Sequence, residues 1–258
     1  MSSAWYICYL PRPRAEIRLY CFPFAGGCSS TYRSWLSVLP DWIELRAVRL
    51  PGRQNRRHEP AYRSCRKLVG ELVDALAGQL SEMPFAFFGH SMGALLSFEL
   101  ARVLRRLSAP QPALLGVSAF GPPHQGHSWV SVSGLPDETF LACMRALGGL
   151  PGEALTEPSL RGFFLPTLRA DLTLVETYRY LPESPLNCPI SVFGGSEDPV
   201  VLTEELQGWQ KQSTRPVVVR VFPGHHFYLT EHSDAVVSSF AEDLRHVLLT
   251  SGCLMAGR

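Results

Sequence analysis

The chain has 258 residues, enough for one large α/β domain or two small ones with a substantial core. Hydrophobic residues make up 46% and charged residues 18%, and Lys+Arg 24 against Asp+Glu 23 leave a formal net charge of +1. This excludes a disordered chain, and it leaves no electrostatic footprint for nucleic acid or an anionic membrane.

The first residues, Met1 to Arg18, lack a basic stretch followed by an apolar one, so no export signal is expected. A buried strand is predicted over Ile17–Phe24, a helix over Thr31–Leu39 and a second strand over Leu45–Leu50. Leu68, Leu72, Leu76 and Leu80 then form an i, i+4 row flanked by Val69, Val73 and Ala77, which is an amphipathic helix. Phe85–Gly89 reads as a strand, Ala94–Leu107 as a helix and Ala113–Phe120 as a strand. From Pro122 to Pro189 the strand signal stops, and helical patterns stand at Asp137–Leu147, Pro158–Phe164 and Leu168–Tyr180. The alternation resumes with a strand at Ile190–Gly194, a helix at Leu202–Gln212, a strand at Val217–Phe222 and a helix at Ala235–Leu249.

Alternating strands and helices specify an α/β fold with a mostly parallel central sheet flanked by helices. The expectation is a single domain over residues 1–258, with residues 122–189 inserted as a helical lid, because so long an interruption exceeds an ordinary loop. No run approaches the ~20 apolar residues of a membrane span, so no membrane partner and a cytoplasmic location are expected. The seven cysteines are scattered, odd in number and without paired ligand spacing, which speaks against structural zinc or a disulfide framework.

Chemistry concentrates at Gly89-His90-Ser91-Met92-Gly93, placed directly between a strand and a helix. That context marks a nucleophile elbow: a sharp turn thrusts Ser91 out at the top of the sheet, and the glycines relieve clashes around it. A serine nucleophile needs a base and an acid from the ends of later strands. The strand at Ile190–Gly194 runs into Gly195-Ser196-Glu197-Asp198-Pro199, where Asp198 is preferred over Glu197 because Pro199 stiffens its turn. The last strand runs into Pro223-Gly224-His225-His226-Phe227, and spacing leaves the base open between His225 and His226. The other histidines read as solvated or satisfied imidazoles. Two backbone N–H groups must hold the oxyanion, Met92 after the nucleophile and Ala25 in the Phe22-Pro23-Phe24-Ala25-Gly26-Gly27 loop, with Phe24 the next choice for the second.

Those motifs, together with Leu50-Pro51-Gly52-Arg53, Leu168-Arg169-Ala170-Asp171 and Glu176-Thr177-Tyr178, resemble the type II thioesterases of polyketide and nonribosomal peptide assembly lines, which are α/β-hydrolases. The resemblance runs from about Ile17 to Leu249. It implies the triad Ser91, Asp198 and His226, with His225 standing where the family usually has a glycine. It further implies an editing enzyme that hydrolyses acyl groups from the phosphopantetheine arm of an acyl or peptidyl carrier protein, which is its partner, with no metal or organic cofactor. On the same reading residues 122–189 form the lid of an acyl chamber lined by Phe163, Phe164, Leu168 and Leu172. The alternatives are a medium-chain fatty acyl carrier protein thioesterase, a simple esterase and a non-catalytic carrier-binding module; an intact nucleophile elbow opposes the last. Arg53, Arg56 and Arg57, and Arg102, Arg105 and Arg106, read first as solvated clusters and second as a steering surface for an acidic carrier.

Overall fold

The computed structural model describes residues 4–126, 131–148 and 158–250, the side chains of residues 158–160 and of Phe163 lying outside that description. Seven strands form one sheet in the order β1-β3-β2-β4-β5-β6-β7. They are β1 (Tyr6–Ile7), β2 (Ile17–Phe22), β3 (Ile43–Val48), β4 (Phe85–His90), β5 (Leu115–Ser118), β6 (Ile190–Gly195) and β7 (Val217–Phe222). All neighbours pair in parallel except β1, which runs antiparallel to β3. The helices are α1 (Cys65–Leu80), α2 (Met92–Arg106), α3 (Asp137–Ala146), α4 (Pro158–Glu176), α5 (Tyr228–Glu231) and α6 (Ser233–Thr250).

The middle of the sheet follows from apolar runs that must be covered on both faces. Every residue of β4 is buried. Phe87 meets Tyr20 and Phe22 on one side, while Phe88 meets Tyr32, Trp35 and Phe240 on the other, all edge-on. Each such ring contributes about 1.5–3 kcal/mol of burial. Helices α1 and α2 cover the first face, with Leu68, Leu72, Leu76 and Leu80 of α1 all buried there, and α6 covers the second. The sheet therefore holds β2, β4, β6 and β7 rigidly, with their carboxyl ends on one side.

Four expectations are corrected. Strand β1 was missed, since a two-residue strand carries no periodicity. The segments Ser29–Ser37 and Thr203–Gln212 are 3-10 turns rather than α-helices. Strand β5 is confined to Leu115–Ser118 within the longer apolar run. The patterns at Pro158–Phe164 and Leu168–Tyr180 are one continuous helix through Pro166, which is exposed and has Gly162 four residues before it. A proline is tolerated there because its ring and the uncapped carbonyl face solvent instead of packed chain.

Candidate active site

Strand β4 ends in a turn whose two glycines are dictated by contact. A Cβ on Gly89 would stand 2.0 Å from the Gly93 carbonyl oxygen, and one on Gly93 would stand 2.1 Å from that of Phe22. With no side chains in the way, the chain reverses within two residues and the Phe22–Gly27 loop lies against it. Ser91 takes the cost: its φ of 53° and ψ of −118° place it in a sparsely populated region, worth about 1–3 kcal/mol of strain. Helix α2 starts at the next residue, so the Met92 N–H is among the amides left without an intrahelical acceptor.

The second group comes from β6. Past Gly195 the chain turns so that Asp198 Oδ1 accepts the Val200 and Val201 N–H groups at 2.8 and 3.2 Å. Pro199 between them has no N–H to compete. Burial raises the Asp198 carboxyl, but the hydrogen bond from His226, its charge and those two amides together bring it below the ordinary carboxylate value. Asp198 thus stands ionised and oriented.

The third comes from the loop after β7. His226 is buried, with Nδ1 2.8 Å from Asp198 Oδ2 and Nε2 3.0 Å from Ser91 Oγ. A carboxylate on one nitrogen fixes the proton there and leaves the other free to accept from the serine. His225 is exposed, and its Nδ1 donates to the Glu197 carbonyl at 2.9 Å, pointing away from Ser91. Of the two histidines that spacing left open, geometry brings His226 to the serine.

The Phe24–Gly27 turn closes through a Gly27 N–H to Phe24 carbonyl bond of 2.8 Å. It is held from outside: Gly26 N–H donates to Asp171 Oδ2 at 2.8 Å, and Arg53 donates to the Gly27 carbonyl at 2.9 Å. Ala25 packs against a small cluster of Phe140, Leu141, Met144, Leu165, Leu168 and Leu172 that joins α3 to α4. Leu168 and Leu172 are therefore buried beside the Phe24–Gly27 turn, Phe164 is half-buried at the edge of that cluster, and the Phe163 side chain lies outside the described residues.

The arginine clusters are corrected. Arg53 is buried in a bidentate pair with Asp171, and Arg56 is buried between Glu59, the Arg49 carbonyl and the Trp5 ring. Arg102, Arg105 and Arg106 converge on Glu183. Arg57 remains exposed, beside Arg63, along a cleft of about 820 Å³ between residues 52–63 and α4. Sequence spacing had no means of finding Asp171, whose partner is 118 residues away. Among the described residues no group of three His, Cys, Asp or Glu is placed to hold a metal, and no helix is long and apolar enough to cross a membrane.

A mostly parallel sheet with a strained serine turn at the end of its fourth strand is the α/β-hydrolase fold. Comparison with known proteins narrows the class: residues 17–244 match the thioesterase domain model. The chain belongs to the thioesterase family, a hydrolase acting on thioesters, and resembles the type II enzymes of peptide and polyketide assembly lines. It is 37% identical over 246 residues to the gramicidin S biosynthesis protein GrsT of Aneurinibacillus migulanus, covering 95% of this chain and 96% of that one. It is 34% identical over 251 residues to the thioesterase PikA5 of Streptomyces venezuelae, covering 97% and 88%. The solved type II thioesterase BorB of the borrelidin biosynthetic cluster superposes with a TM-score of 0.87 at 36% identity, covering 95% and 99%.

Proposed function

We propose that the chain edits a nonribosomal peptide or polyketide assembly line, hydrolysing unwanted acyl groups from carrier-bound phosphopantetheine in the cytoplasm through Ser91, His226 and Asp198. The observation that carries the chemistry is the His226 ring, bonded at one nitrogen to Asp198 and at the other to Ser91. In this reading His226 Nε2 takes the Ser91 hydroxyl proton as Oγ attacks the thioester carbonyl. The Met92 and Ala25 amides receive the oxyanion. As the C–S bond breaks, the sulfur leaves and takes the proton from His226. Water then gives a proton to His226 and attacks the acyl-enzyme, releasing the free acid and restoring Ser91. Asp198 holds the ring and stabilises its charged form throughout. Leu168 and Leu172, beside the oxyanion loop, form the inner wall of the acyl chamber, and residues 122–189 act as its lid.

Ser91→Ala is the direct test, read by mass spectrometry of the acyl carrier protein. Turnover is expected to fall on the order of 10⁶-fold with the fold retained. A matched oxygen ester presented without a carrier should turn over poorly in the wild type. Equal rates on both substrates would replace the editing reading with that of a simple esterase.

A further inference from the structure

Ser91 and His226 are 135 residues apart in sequence and stand at the ends of different strands, yet their contact is 3.0 Å. The elbow and the histidine loop must therefore be held to each other, since a displacement of about 1 Å can cost on the order of 10²-fold in rate. One buried chain of hydrogen bonds joins them. His90, immediately before Ser91, pairs with Ser118 across the β4–β5 register, and its Nδ1 lies 2.8 Å from Ser118 Oγ. The same Ser118 oxygen lies 2.5 Å from the hydroxyl of Tyr228, two residues after His226. All three side chains are fully enclosed.

Burial, reinforced by the neighbouring His226, lowers the His90 ring to about 3, so it is a neutral imidazole with a single N–H. Nε2 of this ring is buried without a hydrogen-bond partner among the described residues, so Nδ1 is the nitrogen that ties His90 to its neighbours. Nδ1 is hydrogen-bonded to the Ser118 hydroxyl, and the Ser118 hydroxyl to that of Tyr228. The Tyr228 ring is fixed in turn by stacking on Phe222, the last residue of β7, at 5.9 Å and 4°.

We propose that His90, Ser118 and Tyr228 form a clamp that sets His226 against Ser91, making Tyr228 a positioning residue for hydrolysis. The inference rests on the triad reading above and adds to it the device that keeps the triad assembled. A clamp acts on the geometry of proton transfer and not on acyl binding, so it should appear in kcat and leave KM alone.

Tyr228→Phe removes one hydroxyl and nothing else. Expected on an acyl-pantetheine thioester are a kcat lowered about tenfold, an unchanged KM, and a parallel fall in the rate at which a fluorophosphonate labels the serine. Ser118→Ala breaks the same chain, so the double variant should be no slower than the slower single one. Ser91→Ala runs alongside: if it is inactive while Tyr228→Phe keeps wild-type kcat and labelling, the clamp is overturned and the triad stands. If Ser91→Ala retains activity, the triad and the clamp both fail. Multiplying losses in the double variant, or a fall confined to thermal stability, would also overturn the clamp.

Discussion

Replacing Asp171 by alanine strips its partner from a buried cation. Arg53 Nη1 and Nη2 lie 2.8 and 2.7 Å from the two Asp171 oxygens, with side-chain exposures of 8% and 2%. The same carboxylate accepts the Gly26 N–H. Loss of one member of such a pair costs about 3–5 kcal/mol, because the guanidinium stays in a low-dielectric site without its counter-charge. For a chain of this size, at roughly 2–4 °C per kcal/mol, the melting midpoint should fall by on the order of 10 °C. A thermal melt reads that shift and urea denaturation the free-energy cost, both followed by tryptophan fluorescence with Trp35 and Trp209 buried as reporters. The control is Arg53→Met with Asp171→Leu, which removes both charges and should be less destabilised than Asp171→Ala. A cost below about 1 kcal/mol for Asp171→Ala, or a double variant whose loss equals the sum of the singles, would refute the argument. The first would mean that water reaches Arg53, and the second that the two residues do not interact.

His226→Ala should lower kcat by several orders of magnitude and His225→Ala by little, since the His225 ring bonds to the Glu197 carbonyl and not to Ser91; steady-state rates in the reverse order would move the base. Between the ordinary histidine value and about 3, the unfolded chain binds a proton at His90 that the folded chain does not. Stability should therefore fall as pH falls through that window, with a limiting slope from this residue of about 1.4 kcal/mol per pH unit. Denaturation of wild type and His90→Gln at pH 7, 6 and 5 checks it, and identical slopes would remove His90 as the cause. Charge reversal at Arg57 and Arg63 should lower kcat/KM for carrier-bound substrate at low salt, converge with wild type as salt screens the cleft, and leave a free acyl-pantetheine unaffected; equal loss on both substrates would indicate damage to the fold.

Which of these features could be read from the chain alone follows from how locally each is encoded. The elbow is local: strand, Gly89, Ser91, Gly93 and helix are contiguous, and the contacts that demand glycine lie within the turn or against the loop beside it. The buried strands are local too, as runs such as Phe85-Ala86-Phe87-Phe88 cannot be left in water. Asp198 was legible because Pro199 and the amides beyond it shape its turn from neighbouring residues. The short strand β1 and the helix running through Pro166 were not, since pairing with β3 and access of the proline to solvent are properties of the assembled molecule.

The site divides along the same line. His225 and His226 are adjacent and of one type, and nothing in spacing separates them; their rings diverge because β6 and β7 bring Asp198 to one and the Glu197 carbonyl to the other. Arg53 and Arg56 read as a solvated cluster because charge in a sequence says nothing of its partner, and Asp171 and the Trp5 ring arrive only through packing. His90, Ser118 and Tyr228 come from three distant stretches, joined by the register of β4 on β5 and the return of the chain after β7. Local sequence thus supplied the serine turn and the frame, since short-range sterics and burial act on neighbours. Which histidine meets Ser91, and which contacts surround it, depend on residues far apart in the chain, brought together when the sheet closes.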